Sequence, residues 1–447
     1  MTSNDEQRIA RARWGLLRAA LRGTQPDECD RRASIHCFPG FQLLSRQIVV
    51  NKEDPLYMQQ LLSQQVDNND DDDDMESFLW AIHSCQDDVK TTIVKLQCVL
   101  LSEQVRHKLA AKGILCRHTT TSSSSSGAEE QQQQQQQQQL CVVWLPPNTE
   151  YACVDYQLAF HEKSLRIRER LPHSCSKIKL KDLTSQQHYD GVDNTGNTRV
   201  WDSELTLTYC LLHEQSVFLS IWNIKSLWDL SCCSEQQPLR ILELGAGMAG
   251  LAGMALAVQN PKNTHVVLTD GHPDAVLNNR INIHLTRALY YPEILLDITS
   301  KRLIWTTTTT NDDVTNSNTD LFDLILASDC THFQEFHACL ALTTAYRLRV
   351  GGVALFCQPP RGDSLQKFVN LCNNSFHGLW ELHWLKEVDF SEKLSRLHCR
   401  YQQQQQQFPA YYDPNIHCPH FLLLRKQRSV EEADRRAVLQ HMEERDG

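Results

Sequence analysis

The chain predicts an α/β fold. It is a Rossmann-like, seven-strand, mostly parallel sheet with one antiparallel edge strand, preceded by an N-terminal α+β extension. Three observations predict it. From Leu239 onward, short apolar runs alternate with helical stretches, the pattern of βα units with a parallel sheet covered on both faces. The first run ends in a glycine turn, Gly245 and Gly247, that opens a helix. The last two runs have no good helix between them, which reads as an antiparallel pair at one edge.

In chain order, residues 8–22 place Trp14, Leu17 and Leu21 at helical spacing, and Ser34 to Val50 alternates as one or two strands. These form an N-terminal unit over 1–50. Residues 51–139 read as an insertion: an acidic run Asp70–Asp74, a helical stretch from Met75 to Lys112, a Thr/Ser run, and nine glutamines at 131–139. Such tracts bury little apolar surface, and disorder is expected there. Strands of an extension follow over 140–200. The main domain, 201–426, runs strand 239–244, helix 249–259, strand 264–269, helix 274–288, and a strand ending near Trp305. It continues with strand 321–328, helix 334–348, strand 352–358, helix 363–376, and strands near 379–388 and 419–426. The tracts Thr306–Thr310 and Gln402–Gln407 read as expanded loops, and 427–447 as a charged tail.

Hydrophobic residues are 41% and charged residues 22%, a globular composition. The net charge of −10 argues against general nucleic-acid binding, which wants a basic face. The 17 cysteines form no C-x-x-C pair, a poor pattern for zinc or for a disulfide framework. Many scattered cysteines suit a reducing compartment. Met1 to Trp14 lacks the apolar core of a signal peptide, and the longest apolar stretch, Gly247 to Val258, is too short to span a bilayer. The expectation is a soluble monomer of the cytoplasm, and also of the nucleus, without membrane or nucleic-acid partners.

The central motif is ILELGAGMAGL (241–251). Its glycines let the backbone turn tightly and approach a ligand closely. The first helical turn then offers N–H groups to that ligand. The next strand ends in Asp270, placed to accept hydrogen bonds from ribose hydroxyls. Gly245, Gly247 and Gly250 also satisfy the dinucleotide fingerprint, so a nicotinamide oxidoreductase stands beside S-adenosylmethionine-dependent methyl transfer. Three features favour methyl transfer. Glu243 lies directly on the glycine turn, Asp329 ends the fourth strand, and closing edge strands suit a seven-strand sheet. Each residue has a plainer reading too: a strand-end charge for Glu243 and Asp270, a helix cap for Asp329, core packing for Trp201 and Trp305. His417 and His420 around Cys418 are expected to be structural, with no metal. A cofactor-binding scaffold without catalysis is a further alternative.

Several segments resemble the family of calmodulin-lysine N-methyltransferases: ARWGLLRAALRG near the start, DNTGNTRVWDSELTLTYCLLHEQSVF (193–218), ILELGAGMAGLAG (241–253), VVLTDGHPDAVLNN (266–279), LILASDC (324–330), PPRGDSLQKFVNLC (359–372) and FPAYYDPNIHCPHFLLLRK (408–426). The resemblance implies transfer of methyl groups from S-adenosylmethionine to a lysine of calmodulin. It places Trp201 at the cofactor site, Glu243, Gly245 and Gly247 on the methionine part, Asp270 on the ribose, and Trp305 beside the adenine. Asp329 and the segment Cys330–Phe333 would border the lysine channel, with Asp329 orienting the amine. Phe333, Tyr411 and Tyr412 would hold methylated intermediates by cation–π contact. The family has a more apolar pair where this chain has Thr331-His332. Calmodulin is acidic, so docking needs a local positive face. The densest basic stretch is 163–181, with Lys163, Arg166, Arg168, Arg170, Lys177, Lys179 and Lys181 against Glu169 alone.

Overall fold

The computed structural model describes residues 43–49, 57, 60, 72–84, 92–97, 110–111, 114–120, 139–145, 150–158, 163–170, 195–197, 199–214, 238–290, 292–307, 321–385, 391–404 and 413–446. The expected helix at 8–22, residues 121–126 of the Thr/Ser run and most of the glutamine tract lie outside them.

The main domain holds seven strands: β7 (Leu239–Leu244), β8 (Thr264–Asp270), β9 (Ile298–Arg302), β10 (Phe322–Ser328), β11 (Leu348–Gln358), β12 (Trp380–Leu385) and β13 (His420–Lys426). Their order in space is β12-β13-β11-β10-β7-β8-β9. The five strands β7 to β11 are parallel to one another. β13 runs antiparallel to both its neighbours, β11 and β12. The reversed strand thus sits inside the edge hairpin, with β12 outermost. This is the seven-strand Rossmann-like methyltransferase fold.

Strand parity builds the two cores, because successive side chains point to opposite faces. Ile241, Val266, Leu268, Leu324, Leu326, Leu355 and Phe421 enter one apolar cluster. Leu242, Val267, Ile325, Ala327, Phe356 and Leu422 enter the other. Helices α2 (Asp202–His213) and α3 (Leu251–Gln259) contribute buried side chains to the first cluster. α5 (His337–Arg347), α6 (Ser364–Ser375) and the C-terminal α9 (Glu432–Asp446) contribute to the second. Burying Phe356 or Phe421 contributes about 1.5–3 kcal/mol each. The tail is therefore no loose appendage: Val438 of α9 is fully buried, and Arg428 grips Asp434 at 2.7 Å.

Helix α4 (Pro273–Tyr290) carries the N-terminal extension. There β1 (Ser45–Ile48), β5 (Tyr151–Leu158) and β6 (Lys163–Arg170) form a three-strand sheet in the order β1-β5-β6. The free edge of β6 is closed by side chains of α4. Asn282 accepts from the Arg168 N–H at 2.8 Å, and Thr286 bonds both backbone groups of Arg166.

The insertion departs from its expected form. α1 (Asp72–Ser84) ends early, and Thr92–Gln97 (TIVKLQ) is strand β2. A run of Thr, Ile and Val prefers the pleated surface. With β3 (Leu115–Thr120) and β4 (Gln139–Leu145) it forms a second three-strand sheet, ordered β2-β4-β3. α7 (Glu392–Gln404) and the short α8 (Pro414–His417) stand between β12 and β13. The sequence predicts no good helix between these two strands and an expanded loop at Gln402–Gln407; instead Gln402–Gln404 end α7, and glutamine is a good helix former. No helix of the described residues is long and apolar enough to cross a membrane.

Candidate active site

In the sheet, strand order reverses between β7 and β10, and a crevice opens beyond the carboxyl ends of strands at such a point. A cavity of about 350 Å³ lies there, lined by residues following β7, β8, β9 and β10.

Its floor is the glycine turn. Gly245 and Gly247 adopt φ of 61° and 57°. A Cβ on Gly245 would stand 2.8 Å from the Cys330 Sγ and 3.2 Å from the Trp305 ring. A Cβ on Gly247 would stand 3.0 Å from the carbonyl oxygen of Gly196. That carbonyl also accepts from the Met248 N–H at 3.0 Å, so Thr195–Asn197, the described end of the DNTGN segment, lies directly on the turn. Asn279 donates to the Gly247 carbonyl at 3.0 Å, and Asn278 to that of Met248 at 2.6 Å.

Four N–H groups of the turn, those of Ala246, Gly247, Met248 and Gly250, are already occupied by the protein. Ala246 donates to the Thr269 carbonyl at 2.9 Å, and Gly247 to the Asp270 carboxylate at 2.9 Å. At the start of α3, where the N-cap is Gly250 without a side chain, two distant carboxylates take over the capping. Glu204 of α2 accepts from the Leu251 N–H, and Glu243 of β7 from the Gly253 N–H, each at 2.7 Å. Both glutamates are buried, at 5% and 0% exposure.

This corrects the placement of Glu243. It does not line the cavity; strand parity turns it under the turn, onto the backbone of α3. Burial pushes its carboxyl up to about 7. Glu204 lines the cavity instead. Burial, then repulsion from Glu243, holds it well above the usual carboxylate range.

The remaining sequence-derived residues mostly meet at this cavity. Trp201, Gly245, Gly247, Asp270, Trp305, Asp329 and Phe333 line it. Asp270 accepts from the N–H groups of Gly247 and His272. Asp329 forms a bidentate pair with Arg361, at 2.5 and 3.3 Å. The Arg361 guanidinium lies 5.7 Å from the Trp201 ring, whose other cation is Arg199 at 4.5 Å. Phe333 meets His332 at 4.5 Å and Phe336 edge-on at 6.2 Å. Thr331 is fully buried, with its backbone N–H on Gln358. Tyr411 and Tyr412 lie outside the described residues. Sequence reading missed Glu204, Arg361, Asn197, His272 and Phe336, all of which line the cavity. Arg361 and Asn197 had a signal, since PPRGDS follows the carboxyl end of β11 and DNTGN ends in Asn197.

The described part of the basic stretch is not a free positive face. Arg166 grips Asp155 with two 2.8 Å bonds and lies 4.1 Å from the Tyr57 ring. Arg168 is 6% exposed, stacked 3.5 Å over Tyr151, and burial lowers its pKa. Lys163 donates to the Val258 carbonyl. Residues 171–181 lie outside the described residues. His417 accepts from the Asp413 N–H, and burial lowers it to about 3.

Residues 180–375 match the model of a family described as lysine methyltransferase. The calmodulin-lysine N-methyltransferase of Arabidopsis thaliana is 33% identical over 198 residues, which are 44% of this chain and 55% of that protein. The match therefore spans about half the length of the curated relative. Both findings support the resemblance read from the sequence. Among solved structures, a putative O-methyltransferase from Klebsiella pneumoniae matches at 14% identity over 48% of this chain and 81% of its own, with a TM-score of 0.30. A putative sarcosine dimethylglycine methyltransferase from Galdieria sulphuraria matches at 15% over 49% and 86%, with a TM-score of 0.31. Likenesses this faint carry no weight for function.

Proposed function

We propose that this chain is a protein-lysine N-methyltransferase that uses S-adenosylmethionine and acts on calmodulin. One observation carries the choice of cofactor: the sign of charge at the glycine turn. A dinucleotide needs the turn and the helix N-terminus to receive a pyrophosphate. Here the N–H groups of Ala246, Gly247, Leu251 and Gly253 are taken, and two carboxylates, Glu204 and Glu243, stand at the N-terminus of α3. They would repel an anion and suit a cation. S-adenosylmethionine supplies a methyl group on a cationic sulfur and carries an ammonium at its amino-acid end.

The residues divide the work as follows. Asp270 accepts from the ribose hydroxyls, beside the glycine turn. Leu303, Ile304 and Trp305 flank the adenine. Glu204 faces the amino-acid end. Asp329, Phe333 and Phe336 border the incoming amine. A free lysine is neutral in only about one part in two thousand at pH 7. An apolar wall disfavours its ammonium form, and alignment supplies much of the remaining rate. Asp329 is held as an acceptor by Arg361, so its part is to orient the amine rather than to act as a free base.

Calmodulin as substrate rests on the resemblance and on the name of the Arabidopsis relative. A reducing compartment, cytoplasm or nucleus, agrees with the cysteine pattern. The test is incubation of the full chain with tritiated S-adenosylmethionine and calmodulin, then with calmodulin whose lysines are replaced by arginine. Label on a lysine of the first and none on the second is expected. Label on neither, with label on another protein's lysine, would keep the reaction and discard calmodulin.

A further inference from the structure

The two buried glutamates raise a question that the methyl-transfer chemistry does not answer. Glu204 and Glu243 come from different elements, α2 and β7, yet they cap neighbouring N–H groups of one helical turn, Leu251 and Gly253. Two carboxylates that close, both shut away from water, cannot both stay ionised at little cost. The Glu243 Oε1 is buried and accepts no hydrogen bond from any described residue. A Cβ on Gly253 would lie 2.7 Å from the Glu243 Oε2, so the backbone is pressed against that carboxylate. One member of the pair, Glu204, opens on the cavity; the other does not.

Among the described residues, no cation answers the pair. From β6, Glu169 adds repulsion, and it is itself tied to Arg46 of β1 and Tyr156 of β5. On the same helix, Asp202 is raised by burial and answered by Arg199 and Arg361. From β8, Asp270 lines the same cavity. α3 presents only backbone N–H groups to the two carboxylates.

We propose that Glu204 and Glu243 form a proton-linked receptor for an ammonium group. In the ligand-free protein the pair holds one shared proton. When the ammonium of the ligand's amino-acid end arrives against Glu204, that proton leaves to solvent and the ammonium takes over the charge balance. No bond to carbon changes; one O–H bond is broken and the proton passes to buffer. Affinity for such a ligand therefore rises with pH across the range in which the pair would otherwise keep its proton, from the ordinary carboxylate range to neutrality. The proposal rests on the cofactor reading above, and it adds a binding residue and a pH dependence to it.

The test is calorimetric titration of the full chain in buffers of differing ionisation enthalpy. Two uncharged-sulfur probes separate the ends of the ligand: S-adenosylhomocysteine, which has the ammonium, and 5′-methylthioadenosine, which lacks it. The parent should release a proton on binding S-adenosylhomocysteine and none on binding 5′-methylthioadenosine. Glu204→Gln keeps an acceptor for the Leu251 N–H. It should bind S-adenosylhomocysteine about ten-fold or more weakly, without proton release. It should bind 5′-methylthioadenosine as the parent does, which also verifies its fold. Binding of S-adenosylhomocysteine by the parent with no proton release, or with parental affinity by Glu204→Gln, would overturn the proposal. If neither nucleoside binds the parent, the cofactor reading falls and this inference with it.

Discussion

Asp329 and Arg361 hold each other across the crevice, and both do so from a left-handed backbone, each at φ 50°. Asp329 follows β10 and Arg361 follows β11, so the pair ties the tips of two adjacent parallel strands. A non-glycine residue in that conformation costs roughly 1–3 kcal/mol. Two of them facing one another indicate that the surrounding packing imposes the geometry. Arg361→Ala should cost about 3 kcal/mol or more, because it leaves a largely buried carboxylate alone. Arg361→Lys should recover part of that stability but not the bidentate geometry. Urea denaturation of the three proteins checks this. Equal midpoints would mean that the pair is incidental.

Asp270 serves both backbone and ligand. Removing its carboxylate by Asp270→Ala frees the N–H groups of Gly247 and His272 as well as any ribose hydroxyl. Loss of about 1.5–3 kcal/mol in cofactor binding is expected. Calorimetry on the variant reads it directly; parental affinity would remove Asp270 from the site.

The glycines permit an internal comparison. Gly245→Ala meets both a left-handed backbone and the Cys330 Sγ at 2.8 Å, whereas Gly362→Ala, at φ 72°, meets nothing within 4 Å. The second should cost only the backbone term, about 1–2 kcal/mol. The first should in addition lower cofactor affinity, and Gly245→Val should abolish binding. Similar binding by Gly245→Ala and Gly362→Ala would show that close approach at Gly245 does not matter.

The basic strand gives a prediction opposite to the one its sequence suggests. Charge density in 163–181 suggested steering of an acidic partner. Arg166→Glu would face Asp155, and Arg168→Glu would bury a second kind of charge among Tyr151, Trp80 and Asn278. Both should lower the melting temperature at every salt concentration. A stable Arg166→Glu variant with a salt-dependent loss of methylation alone would restore the steering reading.

The glutamate pair also predicts a pH effect on the ligand-free protein. The folded carboxyls are raised above their unfolded values, so folding binds protons. Stability is then greatest at low pH within their range and falls as pH rises from the unfolded value toward about 7 for Glu243. Glu204→Gln removes the repulsion. Its melting temperature should exceed the parent's in mildly alkaline buffer, with the gap closing toward acid. A gap that widens in acid would contradict the linkage.

Much of the main domain was legible because its signals are local. The apolar runs, the glycine turn and Asp270 each declare themselves within a few residues, and β7, β8, β10, β11 and β13 fall where the alternation put them. The site was legible where a residue ends or directly follows a strand, as with Asp270 and Asp329. It was not legible where tertiary contact decides. Glu243 adjoins the turn in sequence, but strand parity carries it beneath. Glu204 reads as an ordinary first-turn acid of a helix until α3 is packed against it. Arg166 and Arg168 alternate with buried Leu165 and Ile167, yet a charge count cannot tell a solvated face from one closed by α4.

The most direct measurement of the central claim is competitive ligand binding by the full chain, comparing S-adenosylmethionine with NADH in one calorimetric series. The carboxylates of Glu204 and Glu243 at the glycine turn predict saturable binding of S-adenosylmethionine and none of NADH. Binding of NADH, with none of S-adenosylmethionine, would contradict the account.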